Sequence, residues 1–155
     1  MDSLGEAPDE VHPIAGRNAV SYGWSNERIV QAIPADVKYL GISCTFSHEW
    51  PILKHLLTAI RDRFPGITLI VGGEHVTATA EKSLRECPAI DYAVLGEGEE
   101  TLVDLLDMLE RGGDAADVPG MFFLRGGQPV RTAHRERIRT VDAIPRPSDR
   151  QPRPR

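Results

Sequence analysis

Ile67-Thr68-Leu69-Ile70-Val71-Gly72-Gly73-Glu74-His75 is the stretch around which the rest of the chain is organised. Ile67, Leu69, Ile70 and Val71 are aliphatic and Thr68 is β-branched, with Pro65-Gly66 before them and Gly72-Gly73 after. A short apolar run bounded in this way is a buried strand rather than a helix. The paired glycines end it without side chains, so another group can approach their backbone closely. In an open α/β sheet, ligands lie beyond the carboxyl ends of the strands. The end of this strand is therefore the expected floor of a ligand site.

The segments on either side repeat the same grammar. Ser25 has the chemistry of an N-cap for a short helix with Ile29, Val30 and Ile33 on one face, ended by Pro34. Val37–Ile42 is an expected strand that opens into Ser43-Cys44-Thr45-Phe46-Ser47. Leu53, Leu56, Leu57, Ile60 and Phe64 then fall at helical spacing, with Pro51 tolerated in the first turn and Pro65-Gly66 as the stop. After the central strand, a weaker helix is expected from about Thr79 to Glu86, then a strand from Tyr92 to Leu95 ending in Gly96-Glu97-Gly98. Leu102, Leu105, Leu106 and Leu109 mark another helix, which Gly112-Gly113 ends. Strand and helix alternate throughout, so the expected fold class is α/β, a Rossmann-like (flavodoxin-like) parallel sheet with flanking helices. Gly120–Leu124 and Gln128–Arg131, joined at Arg125-Gly126-Gly127, predict a C-terminal β-hairpin. The expected organisation is an irregular polar lead-in at 1–22, the α/β domain at 23–135, and a proline- and arginine-rich linker or tail at 136–155.

Composition limits the function classes. The 155 residues are 41% hydrophobic and 26% charged, as in ordinary globular proteins, and can build one domain with a sizeable core. The net charge of 18 − 23 = −5 argues against a general nucleic-acid binder. Cys44 and Cys87 form no paired motif and fit a reducing compartment. No apolar run approaches the roughly 18 residues of a membrane span, and a cytoplasmic protein without membrane partners is expected.

Three strand ends should meet on one rim: Ser43-Cys44-Thr45, Gly72-Gly73-Glu74-His75 and Gly96-Glu97-Gly98. The first brings hydroxyls, the second bare backbone, the third backbone amides at a helix start. Glu97, Glu99 and Glu100 crowd that helix start and repel an anion, and no phosphate-loop pattern is present, so a nucleoside triphosphate is a poor ligand. A large, amide-rich and nearly neutral ligand suits the rim better. His48, His55, His75 and Cys44 match no zinc spacing, so no metal ligands are assigned. Cys44 is expected to be a small buried residue and Cys87 structural. No catalytic residue is assigned.

Leu40-Gly41-Ile42-Ser43-Cys44-Thr45-Phe46, Val71-Gly72-Gly73-Glu74-His75-Val76-Thr77-Ala78 and Asp91-Tyr92-Ala93-Val94-Leu95-Gly96-Glu97-Gly98-Glu99-Glu100-Thr101 together resemble the cobalamin-binding domain of cobalamin-dependent radical S-adenosylmethionine enzymes. Val118-Pro119-Gly120-Met121 with the hairpin, and Val141-Asp142-Ala143-Ile144-Pro145-Arg146-Pro147, are similar to the family's lead into its radical barrel. The likeness runs from about Ser25 to Pro147. It implies cobalamin as cofactor, with Ser43, Cys44, Thr45, Gly72, Gly73, Glu74, His75, Gly96, Glu97, Gly98 and Thr101 around its nucleotide tail. It also implies a corrinoid positioned for methyl transfer or redox chemistry that a separate radical domain performs. His75 is an implied pocket residue and not a cobalt ligand. The chain departs from the family in three ways: the usual first strand and helix are not found, no D-x-H-x-x-G is present, and two cysteines cannot supply C-x-x-x-C-x-x-C for an iron–sulfur cluster. The expectation is a truncated relative that is not catalytic alone, with a radical S-adenosylmethionine domain or a second chain on its exposed sheet edge as partner. The alternatives are a non-catalytic interaction module that keeps no cofactor and, less favoured, a flavin- or nucleotide-binding domain.

Overall fold

The computed structural model describes residues 7, 9–14, 18 and 20–135. The expected tail at 136–155 and its Val141–Pro147 segment lie outside the described residues, as does most of the lead-in. Within the lead-in, β1 (Val11–Pro13) pairs antiparallel with β2 (Val20–Tyr22). This corrects the expectation of irregular chain. Val11, Val20 and Tyr22 point outward, so the usual apolar-inside signal is reversed there.

The helix α1 (Asn26–Ala32) follows, with the Ser25 side chain accepting from the Arg28 N–H at 3.2 Å as an N-cap. Then come β3 (Tyr39–Ser43), α2 (Trp50–Arg63), β4 (Thr68–Gly72), α3 (Glu74–Glu86), β5 (Tyr92–Val94), α4 (Gly98–Glu110), a 3-10 turn at Ala115–Asp117, β6 (Met121–Arg125) and β7 (Gln128–Arg131). Strands β3 to β7 form one five-stranded sheet in sequence order. The β3–β4 and β4–β5 pairs are parallel, and β6 and β7 continue the sheet antiparallel. The expected hairpin is thus an extension of the main sheet. This is the Rossmann-like α/β arrangement, with β3 on one edge and β7 on the other.

The core lies between sheet and helices. Leu57 and Ile60 of α2, Leu69 and Val71 of β4, Val76 and Leu84 of α3, Leu105 of α4 and Met121 of β6 are all buried. Each such side chain contributes about 1.5–3 kcal/mol by leaving water. At the bottom of the sheet, Arg61 of α2 donates to the carbonyls of Pro65, Ile67 and Ala89 and pairs with Asp91 at 2.6 Å. Asp91 Oδ2 also accepts the Leu69 N–H at 2.7 Å, so one ion pair fastens α2 to the starts of β4 and β5.

One helix boundary differs from expectation. The α3 helix begins at Glu74, directly after Gly73, and not near Thr79. Thr79 itself has φ −129° and ψ 23°, which interrupts the helix, and its hydroxyl donates to the His75 carbonyl at 2.6 Å. A threonine bonded back to the carbonyl four residues earlier bends a helix. That bend hides the periodicity of the first turn.

Candidate functional site: a glycine-floored cleft at the strand ends

The upper ends of β3, β4 and β5 enclose a cleft of about 560 Å³. Its floor is Gly41, Ile42 and Ser43 of β3, Ile70, Val71 and Gly72 of β4, and Val94 of β5. Gly73, Gly96, Glu97, Gly98, Glu99 and Leu102 supply the rim and the α4 wall. In the parallel register, Gly41 stands beside Ile70 and Ser43 beside Gly72. Alternate strand residues share a face, so Gly41 and Gly72 leave two bare backbone positions on the face that also carries Ser43 and Ile70. A second groove of about 650 Å³, lined by residues including Arg85, Tyr92, Phe123 and Arg125, lies at the opposite end of the strands.

The glycines of the rim have different jobs. A Cβ on Gly41 or Gly96 would meet no atom within 4 Å, so both leave open space. On Gly72 it would make ordinary contact with the Val94 backbone at 3.7 Å. On Gly73 it would fall 2.5 Å from the Cys44 carbonyl oxygen, at a φ of +95°. The close approach at Gly73 is thus made by the chain itself. The Cys44 N–H donates to the Gly72 carbonyl at 2.8 Å and the His75 N–H to the Cys44 carbonyl at 3.2 Å, which lace the end of β3 to the start of α3.

Of the residues implied by resemblance, Ser43, Gly72, Gly73, Gly96, Glu97 and Gly98 line the cleft; Cys44, Thr45, Glu74, His75 and Thr101 do not. Cys44 is buried, with Sγ 3.6 Å from the Phe46 carbonyl, and burial reinforced by Glu49 pushes its thiol pKa up, away from thiolate chemistry. Thr45 and Glu74 are exposed. Thr101 is fully buried in α4 and donates to the Pro119 carbonyl at 3.3 Å, beneath the rim.

His75 sits behind the cleft in a polar network. Its Nδ1 is 2.9 Å from Ser47 Oγ and its Nε2 3.3 Å from Thr79 Oγ1, which in turn meets Ser83 Oγ at 2.9 Å. The ring packs on Trp50 with centroids 5.1 Å apart, and the Trp50 indole N–H donates to Glu86 at 3.0 Å. Burial lowers the imidazole pKa, which Glu86 opposes and Lys82 reinforces. A neutral His75 therefore tethers the loop after β3 to α3.

Gly41, Val94 and Leu102 are lining residues to which the sequence assigned no part in the site. Gly41 had a usable signal, because an isolated glycine inside a strand marks a close approach. Thr77 was also missed as a support: its hydroxyl accepts the Gly96 N–H at 2.9 Å and fixes the turn where Gly96 takes φ +70°.

The model of the B12 binding domain matches residues 3–106. Among curated relatives, an uncharacterised methyltransferase, PH0819, of Pyrococcus horikoshii is 40% identical over 53% of this chain and 18% of its own length. The anaerobic magnesium-protoporphyrin IX monomethyl ester cyclase of Cereibacter sphaeroides is 36% identical over 60% of this chain and 16% of its own. The chain thus spans less than a fifth of the length of these two relatives. Among solved structures, the cobalamin-dependent S-adenosylmethionine radical enzyme OxsB with aqua-cobalamin bound superposes with a TM-score of 0.62 at 21% identity, over 79% of this chain and 17% of that one. TsrM of Kitasatospora setae, with cobalamin and a [4Fe-4S] cluster bound, gives 0.59 at 19% identity, over 70% and 20%. Those likenesses show the fold, and the family match covers most of the chain: it belongs to the B12-binding domain family.

Proposed function

We propose that the chain binds cobalamin at the strand-end cleft, whose residues would hold the nucleotide tail of the cofactor. The observation that carries this reading is the strand-end cleft with bare backbone at Gly41 and Gly72, in a chain of the B12-binding family. The cleft volume falls in the range of small-ligand pockets, about 300–1,000 Å³, which suits the tail and not a whole corrinoid. Ile70, Val71, Val94 and Leu102 would shield the buried group from water, and the Ser43 hydroxyl and the backbone at Gly96 would orient it. His75 and Thr77 would hold the two loops that flank it. When bound, the corrinoid supplies a cobalt centre for methyl carriage or redox chemistry. The residues of this chain position and screen it, within a domain assigned to 23–135. A radical S-adenosylmethionine domain is the proposed partner for that chemistry. The free, buried thiols of Cys44 and Cys87 support a reducing, cytoplasmic setting.

Incubation with hydroxocobalamin, desalting and a visible spectrum test the reading. Retained corrin absorbance near one equivalent is expected, and none with flavin mononucleotide. Loss of all corrin absorbance on desalting would remove the binding function from this chain.

A further inference from the structure

We infer, on the cobalamin reading of the cleft, that Arg135 is its positioning residue. It sets the roll of α4, and with it the stance of the Glu99 and Leu102 wall against a bound nucleotide tail.

The helical period separates two flanks of α4. Thr101 and Leu105 are fully buried, one turn apart, and form its inner stripe. At about 100° per residue, Glu100 and Asp104 fall on one flank of that stripe and Leu102 on the other, about 160° from both. Leu102 and Glu99 line the cleft. The opposite flank is gripped by Arg135, whose Nη1 donates to Glu100 Oε2 at 3.1 Å and whose Nη2 donates to Asp104 Oδ2. The arginine side chain is only 18% exposed, against 57% and 51% for its partners, so it is the fixed member of the set. A planar fork on two carboxylates four residues apart defines an orientation, which a point charge does not.

Arg135 is itself anchored. Residues 132–135 run beside Gly120 and Met121. The Gly120 N–H donates to the Ala133 carbonyl at 2.8 Å and the Thr132 N–H to the Met121 carbonyl at 3.1 Å, while the Thr132 hydroxyl accepts the Met121 N–H at 2.8 Å. Gly120 has φ +83°, and a Cβ there would fall 2.8 Å from Thr101 Oγ1 and 3.5 Å from Arg135 Cβ. Glycine at this turn thus lets the chain around Arg135 lie against α4. The Gly120 carbonyl also accepts the Leu95 N–H at 2.8 Å, one residue before the Gly96 rim. Rim, α4 and Arg135 share one frame. Charge adds to the case: Glu97, Glu99, Glu100 and Asp104 gather at the start of α4, where a nucleotide tail brings an anionic phosphodiester, and Arg135 offsets two of them.

Titration of the full chain with hydroxocobalamin, followed by the visible spectrum, tests the assignment. Arg135→Gln should raise Kd by about fivefold or more. Arg135→Lys should raise it less, because an ammonium keeps the charge without the fork. Glu100→Gln combined with Asp104→Asn should also weaken binding, although it removes negative charge from the rim, and adding Arg135→Gln to that pair should bring no further loss. Without cofactor, Arg135→Gln should quicken amide exchange in the first two turns of α4 and leave β4 unchanged. An unchanged Kd in Arg135→Gln, unchanged or tighter binding in the carboxylate pair, or fully additive losses overturn the proposal. If the wild-type chain keeps no corrin, the cofactor reading falls and amide exchange alone decides whether Arg135 braces α4. Exchange that is unchanged in α4, or raised equally in β4, overturns that brace.

Discussion

At the scale of single residues, the adjacent glycines of the central stretch separate into a structural one and a permissive one. Gly73 combines φ +95° with a Cβ position 2.5 Å from the Cys44 carbonyl oxygen. Gly73→Ala should therefore destabilise the fold by about 3 kcal/mol or more. Gly96 has φ +70° but open space, so Gly96→Ala should cost only about 1 kcal/mol while intruding on the cleft. Denaturant midpoints of the two variants rank them, and equal losses would refute the distinction. His75 gives a pH prediction. Burial lowers its pKa from the ordinary 6.5, so between the lowered native value and 6.5 the unfolded chain binds more protons. The stability contributed by neutral His75 is fully present above 6.5 and is lost as the pH falls through that window. Unfolding midpoints measured at about pH 7.5 and 5 should diverge more for the wild type than for His75→Gln.

At the scale of elements, the ion pair beneath the sheet is the joint that sets strand against helix. Arg61→Leu leaves the carbonyls of Ile67 and Ala89 without their donor and Asp91 without its cation. A loss of about 2–4 kcal/mol is expected. Asp91→Asn keeps an acceptor for the Leu69 N–H and should cost about 1 kcal/mol. Guanidinium unfolding of both variants checks the order. The alternation of β3, α2, β4, α3, β5 and α4 was legible because glycine and proline punctuate strong apolar runs. The start of α3 was not, since Thr79 breaks the helical period by a side-chain bond that sequence spacing does not display. The β1–β2 pair escaped notice for the opposite reason: its apolar residues face outward, so its pattern carries no burial signal. In the site, the bare rim at Gly72 and Gly96 was visible as glycine pairs and flanks. The depth of the cleft was not visible, because it depends on the register that sets Gly41 beside Ile70.

At the scale of the whole molecule, β3 is both a ladder partner of β4 and one side of the cleft, so ligand binding and fold stability share a single strand. A ligand that binds only the folded state stabilises it by RT ln(1 + [L]/Kd), about 2.7 kcal/mol at a hundredfold excess over Kd. For a domain of this size that corresponds to a rise in Tm of about 8–12 °C. Hydroxocobalamin should produce such a shift in the wild type. Gly72→Leu grows from a position where a Cβ makes only ordinary contact, and its side chain would enter the cleft floor. The variant should fold, with a Tm near that of the unliganded wild type, yet show no shift with the cofactor. Leu102→Ala, which opens the α4 wall, should lose about 2 kcal/mol of intrinsic stability but keep most of the shift. A cobalamin-induced rise that survives in Gly72→Leu would place the ligand elsewhere on the molecule, because a leucine side chain at that position occupies the cleft floor.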